Sequence, residues 1–585
     1  MKMNVSITSF IWVPMSCISM TFVSQVCGKE KANSIQFAVL GDRTGSHTPG
    51  THEKIVDQIE RLKPDFVINV GDMIEGYTDD TSQVIKQWEE YRTIMEPLTM
   101  PIYYTPGNHD IWSDVSFEIY ERNFGNPYYS FDYEKLHFVI LDNSRGESSS
   151  ELSEEQIKWL IKDLKKHKKA RRTFVFFHKP FWFESIGDNE SDTLHSLFRN
   201  YGVDAVFTGH HHVYFSGKFD EILYTNVGSS GGGMEPGPSG FGYHFVLVTV
   251  EQEEITIAPI KMDGVLPWEE VTVSEMKLVS RLSLKGIDFE SSVPLKEDLS
   301  IEDDKVSVKL TNLNPTSILD DTARWDIPEG WTVEPSKLPM RIMPGDSAIA
   351  VFHVEKQGKL YPLPSLSGRF PYSEGKSCEV KKSLNVARKA FCNRAESSPI
   401  VDGNISEPCW KDPVSHFFAP NGNPMMIDSV FFYFCHDDSN IFVAAHCKDS
   451  KIDSMTATVT EHDGAVYGED CVGFFLQPDR KRRLVYQIYC NPVGSVFDQK
   501  ITVNPDGDID ADREWNGMYE VKIKKGSDFW IVEMRIPLGQ FNITLERGHQ
   551  CGLNFRRKQK RFASAADWQV PISYDPSTYG ILVMR

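Results

Sequence analysis

A chain of 585 residues is too long for one hydrophobic core, and length alone predicts roughly three or four domains. With 40% hydrophobic, 12% aromatic and 25% charged residues, the composition is that of a globular protein and not of a disordered or fibrous one. A net charge of −20 argues against a nucleic-acid backbone or an anionic membrane surface as the main partner.

Residues 1–28 read as a signal peptide: Lys2 precedes the uncharged "VSITSFIWVPMSCISMTFVSQV", and the charged "KEKANS" follows. The run is about long enough to span a bilayer, but Pro14 and its many Ser and Thr residues make it a poor permanent anchor. Cleavage is therefore expected near Val26–Gly28, giving an exported protein, periplasmic, cell-surface or secreted. Lipidation at Cys17 or Cys27 is the alternative, and Val26 before Cys27 gives it a poor context. No later segment predicts a transmembrane span.

Residues 29–268 alternate strand and helix signals. "IQFAVL", "DFVINV", "PIYYT", "HFVILD", "RTFVFF" and "VDAVFT" are short apolar runs bounded by turn residues. Between them lie helical stretches such as "SEEQIKWLIKDLKKHKK", where Ser153 with Gln156 predicts a capped start. The alternation predicts an α/β domain, in which ligands gather beyond the carboxyl ends of the strands. Those ends carry Gly41-Asp42-Arg43, Gly71-Asp72-Met73, Gly107-Asn108-His109-Asp110, His178 and Gly209-His210-His211-His212. One such turn means little; five strands each ending in an oxygen ligand or an imidazole point to metal. Mixed oxygen and imidazole donors suit Fe, Mn or Zn, and a carboxylate can bridge two ions about 3.5–4 Å apart, as two-metal hydrolases require. No cysteine lies between Gly28 and Ser377, so His, Asp, Asn and Glu must supply the ligands.

The ordered set GD, GD, GNHD, H, GHxH resembles the calcineurin-like metallophosphoesterase superfamily, which includes the purple acid phosphatases, over about Ile35 to Ile260. "YYSFDYEKLHFVILDNS" is similar to a strand pair many members carry. The resemblance implies a two-sheet sandwich flanked by helices, with Asp42 and His212 on one metal, Asp72 bridging, and Asn108, His178 and His210 on the other. It implies hydrolysis of a phosphate ester by a metal-bridging hydroxide, with His109 as general acid and Asp110 as its partner. His210 and His212, two apart on an extended backbone, would point the same way, and His211 is not expected to be a ligand. Thr44 stands where many members have an imidazole, and Glu75 stands where purple acid phosphatases have a tyrosine, which argues against a purple enzyme; Thr44, Glu75 or water would complete the first site. Arg43 is either a phosphate contact or a salt bridge on the rim. Trp112, Trp182 and Tyr214 are candidates for an apolar substrate wall, and the glycine-rich Gly228–Gly240 for a flexible loop on the same face.

In residues 269–390 the helical pattern disappears, and alternating strands such as "KVSVKLTNLNP" and "SAIAVFHVE" predict an immunoglobulin-like β-sandwich. Residues 391–585, from "PIVDGNISEPCW" to "YGILVMR", resemble the family-nine-like carbohydrate-binding modules, which are β-sandwiches; the resemblance implies attachment to a glycan or cell-surface polysaccharide. Trp515 and Trp568 are the candidates for stacking on a sugar, Trp410 and Trp530 for the core. The cysteines from Cys378 to Cys551 are either free buried thiols or disulfides, with Cys435–Cys447 a candidate cross-strand pair.

The reading is thus a multidomain chain, an α/β metallophosphoesterase sandwich followed by two all-β sandwiches, that hydrolyses phosphate monoesters. A phosphodiesterase or pyrophosphatase on the same scaffold competes with it, as does a glycan-binding protein with a decayed site, for which Thr44 is the one supporting feature. A glycosidase would need a pair of placed carboxylates, and none can be nominated.

Overall fold

In a computed structural model, residues 34–585 are described, apart from 79, 235–241, 297, 505–508 and 544. The proposed signal peptide lies outside the described residues.

The apolar runs of the first block become two six-stranded sheets. One has the order β12-β11-β10-β1-β2-β3, from β1 (Ser34–Leu40), β2 (Phe66–Asn69), β3 (Ile102–Tyr104), β10 (His244–Glu251), β11 (Glu254–Lys261) and β12 (Gly264–Val265). The other has the order β4-β5-β6-β7-β9-β8, from β4 (Tyr129–Tyr133), β5 (Leu136–Ile140), β6 (Arg172–Phe176), β7 (Ala205–Thr208), β8 (Phe215–Phe219) and β9 (Ile222–Asn226). β1, β2 and β3 run parallel, as do β5, β6, β7 and β9. Phenylalanines from both sheets meet between them: Phe37 stacks on Phe66 at 5.2 Å and meets Phe138 edge-on at 5.4 Å. Truncating one such ring to Ala costs about 3–5 kcal/mol, so this core fixes the strand ends that carry the motifs.

Helices Thr51–Leu62, Thr81–Met95 and Asp114–Phe124 cover the outer face of the first sheet through a second core that includes Ile59, Trp88 and Tyr120. Helix Glu154–His167 begins as the sequence predicts, with the Ser153 hydroxyl accepting from the Gln156 amide at 3.2 Å. The Gln156 side chain does not complete the box; it makes two 2.8 Å bonds with the backbone of Asp142 after β5.

The expected loss of helix after about Val271 is corrected by a 13-residue helix, Val273–Lys285, started by a Thr272/Glu275 capping box. It buries Val279 and Leu282 in the core of the middle block. That block is a sandwich of two four-stranded sheets around the same core.

The last block forms two sheets joined through strand Lys389–Arg394, whose first half pairs with Gly580–Met584 and whose end pairs with Val430–His436. Its central strands bury both faces, as in Cys471–Gln477 and Leu484–Cys490, so period-two alternation is absent there. The candidate Cys435–Cys447 pair is corrected by register: Cys435 lies opposite Phe442, and Cys447 opposite Val430. All eight cysteines from Cys378 to Cys551 are buried free thiols. No helix among the described residues is long and apolar enough to cross a membrane.

One buried acid here has a measurable consequence. The Glu533 carboxylate accepts from the Asp402 and Gly403 amides at 3.0 and 2.8 Å, while its other oxygen has no partner. Burial, with the Glu407 and Asp402 charges, raises its pKa to about 7. Because the folded value lies above the unfolded one of about 4.3, the stability tied to its proton is complete below that value and is lost as pH rises through 7. Glu533→Gln is expected to raise stability at pH 8 by ~1–3 kcal/mol and to change it little at pH 4.5. Denaturant melts of both proteins at the two pH values check this.

Candidate metal centre

The carboxyl ends of β1, β2, β6 and β7 and the loop after β3 converge at one edge of the sandwich. Asp72, His178 and His210 bring one ligand atom each within 4.8 Å of one another, as do Asp42, Asp72 and His212. Asp72 belongs to both groups. Asn108 joins the first, its Oδ1 lying 3.0 Å from His178 Nε2. The six residues predicted as ligands are therefore gathered in one place, in two sets that share one carboxylate.

The backbone is bent to achieve this. Asp72 has φ 55° and His210 φ 71°, in the left-handed region that ordinary residues avoid. The expectation of an extended backbone at the His triplet is thus corrected: a bend, not a strand, sends His210 and His212 to different sets. His211 turns away and bonds Glu184 at 3.2 Å. Gly107 must be glycine, because a Cβ there would lie 2.2 Å from Asp72 Oδ1.

Partners from the main chain aim the imidazoles. His178 Nδ1–H donates to the Val70 carbonyl at 2.8 Å, and His212 Nδ1–H to that of Gly233, so both rings turn Nε2 inward. His178 Nε2 lies 3.1 Å from Asp72 and 3.8 Å from Asp42, and His212 Nε2 lies 3.9 Å from Asp42. Asp42 also accepts from the His210 amide at 3.0 Å. Burial works against charge on every group here. It raises Asp42, and it lowers His210 to about 2, which leaves that ring neutral with a free lone pair. At His178 burial is outweighed by the Asp72 and then the Asp42 charge, which raise it to about 9. The same His178 contact holds Asp72 below the usual carboxylate range in spite of burial. Two carboxylates at most 2% exposed, three imidazoles and an amide oxygen make a mixed donor set suited to cations.

His109 stands beside this set. Its amide donates to Asp72 Oδ1 at 2.9 Å and its Nδ1–H to the Glu75 carbonyl at 2.7 Å, leaving Nε2 as the position for a transferable proton. The Tyr77 ring packs edge-on against it at 4.9 Å, and the Tyr77 hydroxyl accepts from Asn108 Nδ2 at 3.0 Å.

Several predicted roles are corrected. Asp110 does not touch His109: its carboxylate accepts from the Met73, Ile74 and Gly107 amides and so ties the second motif to the third. Arg43 is buried and directed away, bonding the Met73 carbonyl at 3.0 Å and pairing with Glu90, so the salt-bridge alternative holds. Glu75 bonds His47 at 2.6 Å, the Thr44 hydroxyl donates to the Asp72 carbonyl at 3.0 Å, and neither belongs to the two ligand sets. Trp182 is buried with its Nε1–H on Thr208, and Tyr214 is buried with its hydroxyl on the Trp268 carbonyl; neither forms a substrate wall. Trp112 stays at the rim, its ring 5.8 Å from that of Tyr77. The described part of the glycine-rich segment is no flexible loop: the Ser230, Gly231 and Gly232 amides all donate to the Asp42 carbonyl. The sequence reading missed this, together with the aiming carbonyls of Val70, Glu75 and Gly233. Carbonyls carry no side-chain signal to find them by.

The sugar-stacking candidates of the last block are corrected too. This holds for Trp568, 1% exposed between Phe555 and Arg388; Trp515 is half-buried and packs on Tyr486 at 4.8 Å. Trp410 and Trp530 are core, as expected. A cavity of about 680 Å³ lies elsewhere on the module, lined among others by Tyr467, Tyr489, Tyr574, Gln487, Arg513 and Arg556.

Comparison with known proteins divides the chain in the same way. Residues 35–214 match the family described as calcineurin-like phosphoesterase, and residues 401–584 the one described as carbohydrate family 9 binding domain-like. The human serine/threonine-protein phosphatase CPPED1 is 28% identical over 223 residues, covering 34% of this chain and 70% of its own. Purple acid phosphatase 23 of Arabidopsis thaliana is 31% identical over 151 residues, covering 22% and 32%. Among solved structures, the purple acid phosphatase PPD1 of yellow lupin aligns with 40% of this chain and 53% of its own at 16% identity and a TM-score of 0.33. A family 9 carbohydrate binding module of Caldicellulosiruptor kristjanssonii in complex with cellotriose aligns with 34% and 93% at 17% identity and a TM-score of 0.24. The chain joins a calcineurin-like metallophosphoesterase domain to a carbohydrate-binding module of the family 9 type, with a β-sandwich between them.

Proposed function

We propose that this protein is an exported phosphatase that hydrolyses phosphate monoesters at a two-metal centre and is held near glycans by its C-terminal module. The observation that carries the catalytic part is the single carboxylate, Asp72, shared between two ligand sets, with His109 against it. Asp42 and His212 would hold one ion, Asn108, His178 and His210 the other, and Asp72 both. When bound, the ions would supply Lewis acidity for the phosphoryl oxygens and a water acidified for in-line attack. The Nδ1–H bond to the Glu75 carbonyl sets the orientation of the His109 ring, and as the imidazolium it would give its Nε2 proton to the departing oxygen. Among the described residues the ions of choice are Fe, Mn or Zn on donor chemistry alone.

The test is hydrolysis of 4-nitrophenyl phosphate beside bis(4-nitrophenyl) phosphate, with Mn, Fe or Zn added. Preference for the monoester supports the phosphatase reading; preference for the diester moves the protein to the phosphodiesterases. No turnover with any of the metals would favour the glycan-binding reading with a decayed site.

Export rests on the uncharged stretch after Lys2. Glycan attachment rests on the family match of the module and on its cavity, where Tyr467, 45% exposed, offers a ring face beside the amides of Gln487 and Gln499. Tyr467→Ala is expected to weaken retention on the polysaccharides the protein binds by about tenfold, measured by affinity electrophoresis, with phosphatase turnover unchanged.

A further inference from the structure

A second cavity, of about 520 Å³, opens beside the metal centre, with His210 in its wall. Its size suits one or two sugar rings. The wall is made by the loop after β5, the turn that follows His178 and the start of helix Thr193–Tyr201. Six of its residues carry hydroxyls, and those of Ser149, Ser191 and Thr193 have no partner in the described protein. Every charged side chain in the wall has a hydrogen-bond partner. Lys179 gives its ammonium to Glu147 at 2.6 Å and to the Gly146 carbonyl at 2.9 Å. Glu184 is met by His211, which gives the third histidine of the triplet a place at this cavity. Asp192 caps the helix by accepting from the His195 amide.

The chemistry excludes as much as it admits. No cation is left over for a second phosphate, so a polyphosphate or nucleoside diphosphate finds no counter-charge here. The one benzene ring in the wall, Phe181, is 8% exposed and offers no face on which a nucleobase or aryl group could stack. Free hydroxyls among hydrogen-bonded acids suit a neutral ligand that both donates and accepts hydrogen bonds around its whole edge. His210 belongs both to this wall and to the first ligand set, so the cavity and the metal centre are contiguous.

We propose that this cavity is the leaving-group subsite and takes the polyhydroxylated alcohol of a sugar phosphate. The proposal rests on the phosphomonoesterase reading. In the reaction a water oxygen bonds to phosphorus, the bond from phosphorus to the sugar oxygen breaks, and that oxygen departs with the proton from His109.

The experiment compares kcat/KM for glucose 6-phosphate, a phosphoserine peptide and 4-nitrophenyl phosphate in the full chain and in Ser149→Phe, which fills the cavity without touching a proposed ligand. Inhibition by inorganic phosphate, which needs the metal centre but not the cavity, is the control. The expected result is that the sugar phosphate exceeds the peptide in the parent protein and loses tenfold or more in the variant, with phosphate inhibition within twofold. A better peptide, or a sugar phosphate indifferent to Ser149→Phe, overturns the subsite while leaving the phosphatase intact. Hydrolysis of the diester alone removes the reading beneath it, and the proposal with it. The melting temperature of Ser149→Phe, expected within a few degrees of the parent's, separates filling from misfolding.

Discussion

Asp72→Asn is expected to lower kcat by at least ~10²–10³, the cost of removing one well-placed electrostatic stabiliser from an active site, and to reduce tightly held metal from two ions per chain to one or none. The reason is topological. Asp72 alone belongs to both ligand sets, so its charge cannot be replaced by any neighbour. The substitution leaves the local fold in place. Asparagine tolerates the left-handed φ of 55°, its Oδ1 can still accept from the His109 amide, and the Asp72 carbonyl that holds Arg43, Thr44 and the Thr44 hydroxyl is main chain. Elemental analysis of the purified variant, beside its melting temperature, checks the metal count independently of turnover. A folded variant that kept two ions would show that Asp72 does not bridge them, and the two-metal reading would fail.

The parts of this centre that could be read from sequence are those where position along a strand decides where a side chain goes. Asp42 and His178 end parallel strands whose order follows from strand–helix alternation, and their ligand atoms need only the strand end to be correctly placed. Arg43, Glu75 and Asp110 lie within a few residues of these ligands, yet their side chains go to Glu90, His47 and three backbone amides. Glu75 lies between positive-φ residues at Asp72 and Gly76, and Arg43 and Asp110 reach partners on other motifs; no periodicity predicts either. The aromatic wall failed for a different reason: Trp182 and Tyr214 each find a hydrogen-bond partner inside the core, so a polar tip did not mean exposure. The C-terminal cavity was hidden by strands buried on both faces, where alternation no longer separates core from surface.

His109→Ala separates the acid from its neighbours, because its cost should depend on what leaves. For an alkyl or sugar phosphate, whose alkoxide needs a proton as the bond to phosphorus breaks, kcat should fall by about 10²–10⁴. For 4-nitrophenyl phosphate, whose phenolate departs unaided, the loss should stay within about tenfold. The geometry supports this asymmetry. The Nδ1–H bond to the Glu75 carbonyl fixes the ring so that Nε2 is the nitrogen left to deliver a proton, and the ring itself belongs to neither ligand set. Asp110→Ala is the contrast: it strips three amides of their shared acceptor between the second and third motifs, and each buried amide left unpaired costs about 1–3 kcal/mol. That variant should lose stability and lose turnover equally for both substrates. Rates against leaving-group pKa, measured for the parent and both variants, read the difference: a steeper slope for His109→Ala and an unchanged one for Asp110→Ala. Equal losses on both substrates for His109→Ala would instead make His109 a residue that holds the phosphoryl group, and the proton would have to come from water.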